Sequence, residues 1–419
     1  MKAITLAANQ KKNHVLILAH RNQLLEQHRE LFQDIDWEYT RIENVFTEVR
    51  HLGENGPVDL IIIDECHLSG ASSYQKVCQY YDCTRIGFTG SPIRLDGKPL
   101  DLFDELVEGI TAKQLIQRGY ISDYDYYAPD LKIDLSKVKK VAGDYNNQEL
   151  GEAMSTRKIY GDILKYYNEL AGGKQAIAYC VNIEHSKEVC EMFNQNGISA
   201  MHMDSHTPEK EREKILEAFK NKEFMILCNC NLISEGITLP TAEACLLLRP
   251  TLSLALYIQQ SMRALTPNTN KKAVIIDYVN NYSRHGLPTQ DRKWSLKQKV
   301  KEYKNTNEDG TFIIRTCLNC YNVFEKADVC PYCGTPYELT TIEIENIKEA
   351  KLKKVEEAKA ERMQRYREYV QDKVGNYSSP AQCQSWMELV QYCKIKGYKP
   401  GYAYVLNKQL KKNFKIGGK

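Results

Sequence analysis

Over the first 296 residues, short unbroken apolar runs alternate with stretches whose apolar positions recur every three or four residues. VLILAH (15–20) precedes RNQLLEQHRELFQ, and VDLIIIDE (58–65) precedes a mixed segment and then RIGFTGS (85–91). QAIAYC (175–180) precedes HSKEVCEMFNQNG, and ISAMHM (198–203) precedes TPEKEREKILEAFKN. FMILCN, ACLLLR, SLALYIQQSMRAL and KAVIIDYV complete the series. A run of four to six apolar residues has no polar face to offer water, so it predicts a strand buried on both sides. Helical spacing predicts one buried stripe on a helix. The ten or so residues before HVLILAH read as such a helix. Strand and helix in alternation predict parallel sheets with right-handed crossovers. The rhythm breaks at the tyrosine-rich YISDYDYYAPD (120–130) and restarts beyond it. Two α/β domains are expected, over 1–124 and 125–296.

From residue 297 the pattern changes. KQKVKEYKNTNEDG is a polar linker, and CLNC and CPYCG follow it, giving a linker and zinc ribbon over 297–340. The stretch EAKLKKVEEAKAERMQRYREYVQDK (349–373) is rich in Ala, Glu, Lys and Arg with sparse apolar positions, which predicts a solvated helix. It belongs to a basic helical C-terminal region, 341–419. GYKPGYAY near the end reads as part of a small packed terminus.

Charged and hydrophobic fractions of 26% and 42% exclude a disordered or low-complexity chain. No run of 18 apolar residues occurs, so no transmembrane helix and no membrane partner are expected. The N-terminus lacks the pattern of a signal peptide, which points to the cytoplasm. Most of the 14 cysteines, such as Cys180, Cys228 and Cys245, stand singly in apolar runs, where buried reduced thiols are expected. The net charge of +3 is uneven: residues 346–419 hold 17 Lys and Arg against 7 Asp and Glu. A solvated helix face explains part of that excess, and a polyanion such as nucleic acid would suit the rest.

Two places carry chemistry. LIIIDECH sets Asp64 and Glu65 at the end of a buried strand, the edge where open α/β sheets bind ligands. Adjacent carboxylates there can hold Mg²⁺ (Asp64, through water) and orient an attacking water (Glu65). The bland alternative is a turn with solvated acids. The second place is Cys317, Cys320, Cys330 and Cys333. Paired C-x-x-C motifs bring four thiolates within tetrahedral reach of one Zn²⁺, whereas a redox dithiol needs one pair beside a βαβ unit. A site closed by four cysteines braces the fold or a binding surface. In the tail, Tyr366, Tyr369, Tyr377, Tyr392, Tyr398, Tyr402 and Tyr404 alternate with Lys and Arg, an arrangement that stacks bases or packs a small core.

In order and spacing these segments resemble the superfamily 2 helicases, DExH branch, with two RecA-like domains. DECH matches the hydrolysis motif, FTGSPIR the coupling motif, and LAHRNQLLEQ a strand-end motif that touches the nucleic-acid backbone. AYCVNIEHSKEV, NLISEGITLP and YIQQSMRALTP match the three motifs of the second domain. RPTLSLALYIQQSMRAL and the stretch after IIDYV look like helicases of phages and mobile elements. The resemblance implies an ATP-dependent DNA helicase or translocase, in the host cytoplasm if phage-encoded. It implies Asp64, Glu65 and Arg263 as catalytic residues. His67, Gly236 and Gln260 are implied at the nucleotide, with ATP and Mg²⁺, and His20, Arg21 and Thr89 at the nucleic acid.

The chain departs from the pattern at three points. Thr238 stands where an Asp is usual, Met262 where a Gly is, and Thr266 where a second cleft arginine is. Threonine cannot grip phosphate with the two-pronged hydrogen bonding of a guanidinium, so either hydrolysis is weak or Arg263 carries the load alone. The family's G-x-x-x-x-G-K-[ST] phosphate loop would precede HVLILAH, and it occurs nowhere in these 419 residues. The expectation is a chain cut at that loop, with negligible ATPase by itself and an upstream polypeptide as a partner able to supply it. Two alternatives stand beside the helicase. One is a non-enzymatic nucleic-acid-binding relic; the other is the motor subunit of a restriction-type nuclease.

Overall fold

The computed structural model describes residues 1–94, 98–129, 135–141, 144–155, 157–230, 239, 241–267, 272–297, 303–399, 401–412 and 414. By contacts the chain divides into two compact units. The first holds Met1–Asn305 and Ile313–Tyr337; the second holds Thr306–Phe312 and Glu338–Lys419.

The first unit contains two parallel sheets, as the unbroken apolar runs require. Strands β1 (Val15–Ala19), β2 (Thr40–Asn44), β3 (Leu60–Asp64) and β4 (Thr84–Phe88) form one sheet in the order β2-β1-β3-β4. Side chains alternate across it. Val15, Ile17, Leu60 and Ile62 enter one core, and Leu16, Leu18, Ile61 and Ile63 enter the other. Among the described residues β4 is an edge strand paired with β3 alone, and none of its residues is fully buried.

The second sheet uses β5 (Tyr124–Tyr127), β8 (Ala176–Tyr179), β9 (Ala200–Met203), β10 (Ile226–Asn229), β11 (Ala244–Leu247) and β12 (Ala273–Asp277). Its order is β5-β12-β11-β8-β10-β9, and every pair is parallel. Every residue of β8, β10, β11 and β12 is buried, so these four make the centre. A short antiparallel pair, β6 (Lys140–Val141) and β7 (Asp144–Tyr145), lies outside both sheets.

The cysteine module is an antiparallel pair, β13 (Ile314–Thr316) and β14 (Val323–Glu325), and it packs within the first unit. Asn322 bridges Tyr127, Ala128 N donates to Tyr321 O at 2.9 Å, and the Tyr321 ring meets Tyr166 edge-on at 5.0 Å. The module therefore caps the outer edge of β5, which would otherwise present unpaired amides and carbonyls.

In the second unit a 35-residue helix, Thr341–Gly375, starts from a capping box between Thr340 and Glu343. The buried Glu343 carboxylate also accepts from Phe312 N at 3.0 Å. Helices Trp386–Ile395 and Tyr402–Gln409 close on the end of the long helix around Val374, Cys383, Leu389, Tyr392, Cys393 and Ala403. Among the described residues no helix is long and apolar enough to cross a membrane.

Candidate functional site

Parallel strands all end at one edge, so the first sheet gathers His20, Asp64, Glu65 and Thr89 where β1, β3 and β4 stop. Asp64 is held in place twice. Its Oδ2 lies 2.8 Å from His28 Nε2, and its Oδ1 accepts from Glu65 N at 3.0 Å.

Glu65 adopts a left-handed backbone, φ 50° and ψ 50°, before a short 3₁₀ turn at Cys66–Leu68. That conformation costs a residue with a Cβ about 1 kcal/mol or more. It turns the chain sharply enough to bring His67 back beside Glu65. The buried His67 ring lies with Nδ1 3.2 Å from Glu65 Oε2 and 3.1 Å from Thr89 Oγ1. Thr89 Oγ1 in turn donates to Ser91 O and accepts from Ser91 N, which fixes the FTGS turn. On the other side of the ring, Gln259 Nε2 lies 3.2 Å from His67 Nε2. With that amide donating, Nδ1 carries the ring proton and faces Glu65 and Thr89. Gln259 stands on helix Leu254–Met262, which packs on the second sheet. One chain of hydrogen-bonded groups thus runs from the carboxylates at the end of β3 to the second sheet.

Gln260, expected from the sequence at the nucleotide, lies beside Gln259 on this helix. Neighbouring residues on a helix point about 100° apart. Gln259 therefore faces His67, while Gln260 turns into the core, 2% exposed, with an Oε1 that has no hydrogen-bond partner. Arg263 follows in the 3₁₀ turn Arg263–Leu265, half-buried. Its charge reaches the Tyr179 hydroxyl at the end of β8, where burial raises the pKa and Arg263 opposes the rise. Arg21 begins helix Asn22–Leu31, and Asn44 Nδ2 donates to His20 O at 3.3 Å. Gly236 and Thr238 lie outside the described residues.

His28 was missed by the sequence reading. Its signal is a histidine on the apolar face of its helix, in register with the buried Leu24, Leu25 and Phe32. Gln259 was hidden by the Gln-Gln doublet, whose members differ only in helix phase.

The four cysteines form two knuckles of one design. Cys317 N donates to Asn322 O and Tyr321 N to Cys317 O; Cys330 N donates to Thr335 O and Gly334 N to Cys330 O. The fifth residue of each knuckle is left-handed, Tyr321 at φ 60° and Gly334 at φ 74°. All four Sγ atoms lie within 4.8 Å of one another, with Cys317–Cys333 at 3.5 Å and Cys320–Cys330 at 3.7 Å. A tetrahedron with Zn–S bonds of about 2.3 Å has S···S edges of about 3.8 Å, so the residues fit the ion. The Thr335 hydroxyl and amide hold the Cys333 thiol down, to about 6, which favours the thiolate.

Comparison with known proteins meets this geometry. Residues 38–94 match the family model "Type III restriction enzyme, res subunit", and residues 158–267 match "Helicase conserved C-terminal domain". A 51.5 kDa protein of Lactococcus phage (isolate 7-9) is 34% identical over 366 residues, covering 85% of this chain and 79% of that protein. The "Putative ATP-dependent helicase IRC3" of Saccharomyces cerevisiae is 30% identical over 295 residues, 63% of this chain and 43% of the yeast protein. The chain therefore spans less than half the length of that relative. A fragment of a "putative HsdR subunit of a type I restriction enzyme" from Vibrio vulnificus YJ016 shares the fold, with a TM-score of 0.50 at 20% identity over 64% of this chain and 53% of that one. With two parallel sheets, a D-E-x-H strand end, a match to the conserved helicase C-terminal domain and a helicase relative along 63% of its length, the chain belongs to the superfamily 2 helicases.

Proposed function

We propose that this chain is the motor of an ATP-driven helicase or translocase acting on DNA, with motor domains over 1–124 and 125–296. The observation that carries the reading is the link Glu65–His67–Gln259, which ties the hydrolytic strand end to the second sheet. A change at the nucleotide then alters the contact between the sheets, which is what stepping along a strand requires. In this reading Asp64, positioned by His28, would hold Mg²⁺, which would supply positive charge against the phosphates. Glu65 takes the proton of the attacking water, and Arg263 stabilises charge developing on the transferred phosphoryl group. His20, Arg21 and Thr89 meet the nucleic-acid backbone. Gly236 is assigned to the nucleotide by motif alone.

The edge of β4, paired with β3 alone among the described residues, supports a place for a further strand carrying the phosphate-binding loop, supplied by a partner polypeptide. The deciding experiment measures DNA-stimulated ATP hydrolysis with that loop supplied, fused or in trans. Stimulated turnover is expected. Hydrolysis at background with every nucleic acid tried would favour a binding relic instead. A second reading, the motor subunit of a restriction-type nuclease, draws on the match of residues 38–94 to the type III restriction model. Co-purification of a nuclease with the chain would establish it.

Two further results are expected. His28→Ala should raise the Mg²⁺ needed for half-maximal hydrolysis by about tenfold, because outer partners of a metal-holding carboxylate contribute on that scale. His28→Asn should restore part of the loss; an unchanged Mg²⁺ dependence in the alanine variant would leave His28 a packing residue. Removing residues 346–419, which hold 17 Lys and Arg against 7 acids, should weaken DNA binding and flatten its dependence on salt. Equal affinity and slope for the shortened and full chains would assign that region to packing.

A further inference from the structure

From Leu389 to Lys419 the chain has eight lysines and neither Asp nor Glu. The acid just before this stretch, Glu388, is turned inward. It is buried, with Lys373 Nζ at 3.0 Å, Tyr377 Oη at 3.3 Å and Gln384 N at 2.7 Å. No carboxylate within this stretch offsets its lysines.

Two glycines shape what stands among them. Helix Trp386–Ile395 ends through left-handed Gly397 (φ 72°), with Tyr398 N donating to Cys393 O at 2.8 Å. Helix Tyr402–Gln409 starts from left-handed Gly401 (φ 86°), with Tyr402 N donating to Lys399 O at 3.0 Å. The two turns set the Tyr398 and Tyr402 rings face to face, centroids 4.8 Å apart and planes 25° from parallel. Folding buries them only in part. They are 44% and 37% exposed, while Tyr392, the tyrosine the small core uses, is 4% exposed. Lys394, Lys396 and Lys399 are exposed within four residues of Tyr398.

We propose that Tyr398 and Tyr402 form a stacking platform for the bases of single-stranded nucleic acid, with Lys394, Lys396 and Lys399 neutralising its phosphates. The proposal rests on the nucleic-acid motor reading and adds to it a second contact, on the C-terminal unit. An unpaired base offers both faces to an aromatic ring, and every base has such a face, so the platform is indifferent to sequence. A duplex has its base faces already stacked and offers only phosphates. The platform therefore prefers single strands, while the lysines alone do not discriminate.

The test uses the full chain and fluorescence anisotropy with a labelled 20-nucleotide single strand and the matching duplex. Tyr398→Ala/Tyr402→Ala is expected to weaken single-strand binding about tenfold and leave duplex binding within about twofold, and Tyr398→Phe/Tyr402→Phe is expected to retain it. Lys394→Ala/Lys396→Ala/Lys399→Ala should lower the log–log salt slope for single strands by about 2, at about 0.7 per cation. Lys394, Lys396 and Lys399 are exposed, so their variant should leave the melting temperature unmoved, and it tests the site independently of the tyrosines. Unchanged single-strand affinity in the alanine pair, or equal losses on single strand and duplex, would overturn the platform. So would binding to phosphatidylserine vesicles that the alanine pair abolishes while single-strand binding persists. Absence of any nucleic-acid binding by the unsubstituted chain would instead sink the motor reading itself.

Discussion

Glu65→Gln, in a chain supplied with a phosphate-binding loop, is expected to lower DNA-stimulated ATP hydrolysis about a thousandfold and leave DNA binding within about twofold. A positioned general base contributes about 10² to 10⁴ in rate, and an amide of the same shape cannot take a proton. The substitution should leave the fold intact. The left-handed backbone at residue 65 is set by the strand-to-turn connection, and a glutamine oxygen can still accept from His67 Nδ1 across the 3.2 Å now spanned by the carboxylate. Loss of turnover with retained binding would place Glu65 at the attacking water. A residual rate above one tenth of the unsubstituted chain's would show that another group accepts that proton. Asp64→Asn serves as the companion, because it should also lower turnover but respond to added Mg²⁺.

The second large effect belongs to the cysteines. One zinc ion per chain is expected in protein purified without chelators, and none in a Cys330→Ser/Cys333→Ser variant. Among the described residues the module's own core is Cys317, Phe324 and Cys330, with Cys320, Ala327 and Tyr337 packed partly against it, while its Ile314 and Val323 join the core of the second sheet. So small a core does not fold by burial alone. In zinc-finger peptides the metal supplies about 10 to 16 kcal/mol, and here it should likewise supply most of the module's folding free energy. The loss should spread. With Asn322 and Tyr321 no longer fixed, the Ala128 amide loses its acceptor and the edge of β5 opens. Hydrogen exchange should quicken at Ala128 and at the Cys317 and Cys330 amides, and a chelator should reproduce the pattern. Substoichiometric zinc in the native protein, or unchanged zinc content in the double variant, would refute the assignment.

Sequence alone determined a good deal of this protein. Burial on both faces of a strand leaves a mark on every residue of it, so β1, β3, β8, β10, β11 and β12 were legible as apolar runs. The clustering of the four cysteines was legible because C-x-x-C spacing is itself a sequence property. Asp64 and Glu65 were legible because an acid pair closing an apolar run must sit at a strand end. β2 was not: TRIEN has one apolar residue, and it is a strand because β1 offers it a partner from Val15 to Ala19.

What only the tertiary structure decided are the pairings. His28 meets Asp64 across 36 residues and Gln259 meets His67 across 192, and no local pattern records which side chains packing will bring together. The choice between Gln259 and Gln260 turned on helix phase against a distant histidine. Tyr392 went into the small core while Tyr398 and Tyr402 stayed on its surface, although all three stand in the same run of lysines. Periodicity reports how much water a residue will meet; the identity of its neighbour is fixed only when the sheets, helices and turns are assembled.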